Sequence, residues 1–177
     1  MKSILLIATI ALLLSACNGT SLTYKIATVS MSPTLKVGDI VFADPIAYKI
    51  DVPRRFDIVV VRAPDGETNP DGTIQVFPKR IIGVGGDRIQ IIAGQLYVND
   101  QPVVLGIVPG TGKYFSGHRV ADFGPAMVPK EQYFLVGDNL PDSLDSRYWK
   151  HSTVTKDYFI GKVTTIKDKE TGKIRYL

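Results

Sequence analysis

Val29-Ser30-Met31-Ser32-Pro33-Thr34-Leu35 places a serine just after a short extended run and just before a proline-stiffened turn. A serine hydroxyl is a weak nucleophile until a neighbouring base takes its proton. This stretch therefore carries chemistry only if the chain also supplies a base and a group to orient it. By itself Ser30 reads as an ordinary turn residue.

Working outward from that turn, the chain reads as strands. Tyr24 to Val29 leads into it, and Asp39 to Ala43 and Asp57 to Val61 follow, β-branched runs bounded by Pro and Gly. Thr73 to Ile82 resumes the extended pattern, with Lys79 near its end, and Ala63 to Gly72 reads as a loop. Arg88 to Ile92 and Gln95 to Val98 form a hairpin through Ala93-Gly94. Gln132 to Val136 is a further strand, and Tyr158 to Ile166 closes the set. Residues 103–128 are the least regular and read as an insertion. The expectation is a mostly β protein with one catalytic β domain over 24–177.

The first 23 residues are different. Ile4 to Ala16 contains only Ser15 as a polar residue and ends at Cys17. As a helix it would span roughly 20 Å, against about 30 Å of bilayer hydrocarbon. Its length suits the apolar region of an export signal with Lys2 at its positive end. Leu14-Ser15-Ala16-Cys17 resembles the lipobox of bacterial lipoproteins, which implies lipidation at Cys17. The other reading is an uncleaved anchor reaching Leu22. Both place the body at a membrane, on its extracytoplasmic, periplasmic side.

Composition removes several classes. The 177 residues carry a formal charge of +4 from scattered Lys and Arg, so the nucleic-acid reading has little support. One Cys and two His furnish no metal site, and no cofactor motif occurs. His118 and His151 stand in no partner motif, which argues against a Ser-His-Asp triad.

Three stretches then stand together: Ser30 to Leu35; Lys79-Arg80-Ile81-Ile82-Gly83-Val84-Gly85-Gly86-Asp87; and Gly137-Asp138-Asn139 with Asp142-Ser143-Leu144-Asp145-Ser146-Arg147. In this order they resemble type I signal peptidases, the Ser-Lys endopeptidases that remove export signals. The resemblance runs from about Thr28 to the closing strand. It implies Ser30 as nucleophile and Lys79 as general base. Ser143 would hydrogen-bond the lysine amine, and Asp145 and Arg147 would form a supporting ion pair on one face of an extended segment. Thr28, with the Ser30 N–H, would stabilise the oxyanion. The implied partners are preproteins with small residues at the first and third positions before the scissile bond, bound as an added strand, and the lipid bilayer. The chain departs from the family at Val84-Gly85-Gly86-Asp87, at Leu140-Pro141-Asp142 and at Lys150, none of which removes a catalytic atom.

An unperturbed lysine is neutral in only about one molecule per thousand near pH 7.4. The fold must therefore desolvate Lys79, with Phe77 and Ile81 as the expected apolar wall. Two other readings stand beside signal-peptide cleavage: a specialised peptidase maturing a pilin or conjugation substrate, and a non-catalytic extracytoplasmic lipoprotein binding module.

Overall fold

The computed structural model describes residues 21–105 and 120–177. Cys17, His118 and the apolar N-terminal run lie outside them. The strands are β1 (Leu22–Lys25), β2 (Ile40–Asp44), β3 (Ile58–Arg62), β4 (Val76–Val84), β5 (Arg88–Ile92), β6 (Gln95–Val98) and β7 (Gln101–Val103). They continue with β8 (Phe123–Met127), β9 (Gln132–Val136), β10 (Val154–Thr155), β11 (Phe159–Lys167) and β12 (Ile174–Tyr176). A single helical turn, α1 (Ala47–Ile50), follows β2. The mostly β expectation is met.

Eight strands form one sheet in the order β1-β2-β11-β3-β4-β9-β10, with β12 on β11, and β7-β6-β5-β8 form a second. The large sheet is covered on both faces, which explains the unbroken valine run of β3. Ile58 and Val60 join a core with Val41, Ala43, Val163 and Ile166. Val59 and Val61 join another with Ile81, Leu135, Trp149 and Val154. A strand buried on both faces needs apolar residues at every position instead of at alternate ones.

Two features of this sheet position the site. Met31 and Leu35, flanking the Ser-Pro turn, are fully buried in the first core. Each contributes about 1.5–3 kcal/mol and pins the turn from below. In addition, β4 pairs with β3 from Val76 onward, but its pairing with β9 begins only at Arg80. Residues 76–79 thus leave one backbone edge free, as does β1, which pairs with β2 alone.

Several boundaries differ from the sequence reading. Regular pairing in β1 stops at Lys25, because the chain then leaves the sheet to make the turn, and Ile26 is held by bonds to Asp39 and Gly38. β1 also starts inside the segment assigned to the anchor. Lys79 lies mid-strand, not near a strand end, since β4 continues to Val84. Part of the expected insertion is ordered sheet, as β8 pairs with β5. The expected hairpin forms, with Ala93 and Gly94 both at positive φ, as a two-residue primed turn requires.

Candidate active site

Strand alternation puts Phe77, Lys79 and Ile81 on one face of β4. Lys79 is 2% exposed, and its Nζ lies 5.5 Å from the centre of the Phe77 ring. Nζ donates to Ser30 Oγ at 3.1 Å. Burial pulls the lysine down to about 8; Asp145 and Asp138 pull it up, and Arg147 pushes it down. Desolvation dominates because an ammonium loses its hydration among apolar strands while the neutral amine loses little.

Ser30 is held from the other side. Its carbonyl accepts the Asn139 N–H at 3.0 Å, and Asn139 Nδ2 donates to the Val29 carbonyl at 3.2 Å. Gly137 fits beneath. A Cβ there would stand 2.3 Å from the Ser30 carbonyl oxygen and 2.4 Å from Ser143 Oγ, so only glycine lets the two segments meet.

Thr28 Oγ1 lies 3.2 Å from Ser30 Oγ, on the solvent side of the nucleophile. Asp145 and Arg147 form a buried bidentate pair, Nε to Oδ1 at 2.7 Å and a terminal nitrogen to Oδ2 at 2.9 Å. The same guanidinium donates to the carbonyls of Leu140 and Ser143, and Asp145 Oδ2 accepts the Gly137 N–H at 3.0 Å.

Two expectations need correction. Asp145 and Arg147 do not share a face of an extended strand; residues 145–148 form a turn closed by the Tyr148 N–H on the Asp145 carbonyl. The bidentate pair closes because the arginine folds back over that turn. Ser143 Oγ is buried against Gly137 and has no hydrogen-bond partner among the described residues, so the expected bond to Lys79 is not formed. Its neighbours leave it next to the dyad without engaging it.

Sequence reasoning missed a second ion pair. Arg80 grips Asp138 with two bonds of 2.7 and 2.6 Å. Asp138 also accepts from the Thr34 hydroxyl, so β4, the Ser30 turn and the 137–139 loop meet at one carboxylate. All three residues sat in the quoted motifs, but nothing in the sequence paired them. Trp149 is core, while Tyr148 and His151 are exposed.

A cleft of about 300 Å³ opens between the two free edges. Tyr24 to Thr28 line one wall and Gln75 to Pro78 the other, with Val41 and Val60 at its base. Both walls run toward the Ser30–Lys79 pair.

Residues 1–167 match the family described as signal peptidase, peptidase S26. A probable signal peptidase I-2 of Synechocystis is 34% identical over 120 residues, 68% of this chain and 51% of that protein. Signal peptidase I of Leptolyngbya laminosa is 32% identical over 135 residues, 75% of this chain and 62% of its own. Signal peptidase I V of Bacillus subtilis is 32% identical over 150 residues, 81% and 84% of the two chains. The chain thus spans little more than half of the first two. A signal peptidase I crystal structure from Enterococcus faecalis, 26% identical with a TM-score of 0.45, covers 64% of this chain and 98% of that one. With a buried lysine on the turn serine and a family match that takes in both residues, the chain belongs to the signal peptidase family, peptidase S26.

Proposed function

We propose that this chain is a membrane-associated serine endopeptidase that cleaves signal peptides from exported preproteins, with Ser30 as nucleophile and Lys79 as general base. The observation that carries the reading is the 3.1 Å contact between Lys79 Nζ and Ser30 Oγ at a lysine brought to about 8 by burial. Neutral Lys79 accepts the Ser30 proton as Oγ attacks the scissile carbonyl. The Ser30 N–H and the Thr28 hydroxyl donate to the oxyanion. The Lys79 ammonium then protonates the leaving amine, and the neutral amine it regenerates activates the water that releases the acyl group from Ser30.

Substrate enters as an extended peptide between the free edges of residues 24–28 and 76–79, pairing with both backbones. Small residues occupy the first and third positions before the bond. Asp145 and Arg147 hold the 137–139 loop, and through it Ser30. The body works at the extracytoplasmic face of the cell membrane, tethered through residues 1–21, by lipid on Cys17 or by the apolar run itself.

The test compares the N-terminal peptides of secreted and envelope proteins in cells carrying intact Ser30 or Ser30→Ala. Preproteins that keep their leaders only in the mutant support the reading. An unchanged set of N-termini overturns it, and the number of affected proteins separates a general peptidase from one dedicated to a pilin or conjugation substrate.

A further inference from the structure

The lining of the cleft includes two side-chain amides, Asn69 and Gln75, carried by one hairpin. Residues 63–75 fold back on themselves. Ala63 and Gln75 are joined by a backbone bond, the Gln75 N–H donates to the Glu67 carbonyl, and Thr68 pairs with Ile74. Asn69 Nδ2 donates to Thr73 Oγ1 at 2.9 Å and Gln75 Nε2 to the Thr68 carbonyl at 3.0 Å. Each side-chain amide is thus oriented through its nitrogen, and each keeps a carbonyl oxygen with no partner among the described residues. Both residues line the cleft, whose remaining lining is largely apolar.

Gln75 lies four residues before Lys79, and Tyr24 four before Thr28. Along the Gln75 wall, at the rise of a strand, this is about 13 Å. A peptide paired between them advances at the same rate. The residue opposite Gln75 is therefore the fourth or fifth before the bond presented to Ser30. Up to that point the peptide lies on apolar surface; there it meets two held acceptors.

We propose that Asn69 and Gln75 are specificity-determining residues that select a hydrogen-bonding side chain at the fourth or fifth position before the scissile bond. The inference rests on the peptidase reading above. Each amide oxygen accepts an N–H or O–H from that residue, and an aliphatic side chain there leaves it to water alone. A bond of this kind changes kcat/KM by about five- to tenfold. The discrimination belongs to binding at a distance from the chemistry, so the pH profile of cleavage is not part of it.

The experiment uses the full chain in detergent micelles and synthetic peptides with Ala at the first and third positions before the bond. Asn or Leu is placed at the fourth and fifth positions, or, as a control, at the seventh and eighth. The wild type is expected to favour Asn over Leu about fivefold in kcat/KM at the near positions only. In the double variant N69A/Q75A that ratio falls to about one. N69A/Q75A removes the bonds to Thr73 and Thr68, so a second variant, N69D/Q75E, keeps side-chain size and acceptor oxygens while giving up only the two amide donors. It is expected to prefer Lys over Asn at the near positions, an advantage lost at high salt. The proposal is overturned if N69A/Q75A keeps the wild-type ratio, if the ratio follows the far positions, or if N69D/Q75E gains nothing with Lys. If the wild type cuts no peptide, or S30A cuts as well as the wild type, it is the peptidase reading that has failed.

Discussion

Lys79 reaches Ser30 Oγ from within the core, its Nζ 3.1 Å away while the residue as a whole is 2% exposed. Activity therefore needs the lysine to lose a proton that burial has already loosened to about 8. The cleavage rate should climb with pH through that region and stay high beyond it. Replacing His118 and His151 together should leave the ascending limb in place. A limb near pH 6.5 that moves when a histidine is changed would exclude Lys79 as the base.

The same burial carries a stability cost. Below the folded value of about 8 the lysine is charged in both states, and its charge is poorly solvated only in the folded one. That penalty is roughly 3 kcal/mol at neutral pH and fades as pH rises from about 8 towards 10.5, where the unfolded chain also deprotonates. Lys79→Met should therefore be inactive yet more stable than the wild type in denaturant titrations at pH 6–7. The gain should vanish above about pH 10. A variant less stable at every pH would show that the lysine is not strained by its site.

Asp145 and Arg147 act on Lys79 with opposite signs. Asp145→Asn removes an attraction for the ammonium, so the ascending limb should move to lower pH. Arg147→Met removes a repulsion and leaves Asp145 unpaired beside the lysine, so the limb should move up. Both variants should also lose about 3–5 kcal/mol, because each leaves one buried partner uncompensated. Pre-steady-state pH profiles settle the matter; shifts in the same direction would contradict the electrostatic account.

Gly137→Ala tests the clamp under the nucleophile. The added methyl meets the Ser30 carbonyl oxygen and Ser143 Oγ at distances no side chain tolerates, 2.3 and 2.4 Å. The loop must retreat, at a cost of about 1–3 kcal/mol, and Ser30 must shift with it. Turnover should fall at least a hundredfold, while circular dichroism reports an intact sheet. Full activity would mean that the Gly137–Ser30 approach is not needed for catalysis.

The N-terminal reading is tested by Cys17→Ser. If Cys17 carries lipid, the variant should leave the membrane fraction or fail to mature, since a short apolar run alone holds poorly. Unchanged mass and retention would favour the uncleaved anchor.

How far the sequence could be read follows from what each feature depends on. The strands are local, and β3, β9 and the Ala93-Gly94 hairpin were legible from β-branched runs and turn chemistry. Ser30 and Lys79 were legible because three spaced motifs agreed, which no single serine or lysine could do. The Arg80–Asp138 pair was not, because its members are 58 residues apart and any of several acids would have served. Nor was the turn at Asp145–Arg147, since a spacing of two fits strand and turn alike. The isolated Ser143 hydroxyl depends on how the 137–143 loop packs, which no pattern of residue types records.

Arg175 donates to the Thr34 carbonyl at 2.7 Å across 141 residues of chain, and the Lys169 N–H holds Asp39. The nucleophile turn is therefore finished by residues made long after it. At roughly 5–20 residues per second, the ribosome needs on the order of ten to thirty seconds between Thr34 and Arg175. Throughout that interval Ser30 exists, but the turn that presents it to Lys79 is incomplete. The turn thus gains this outer hold only once β12 has been made.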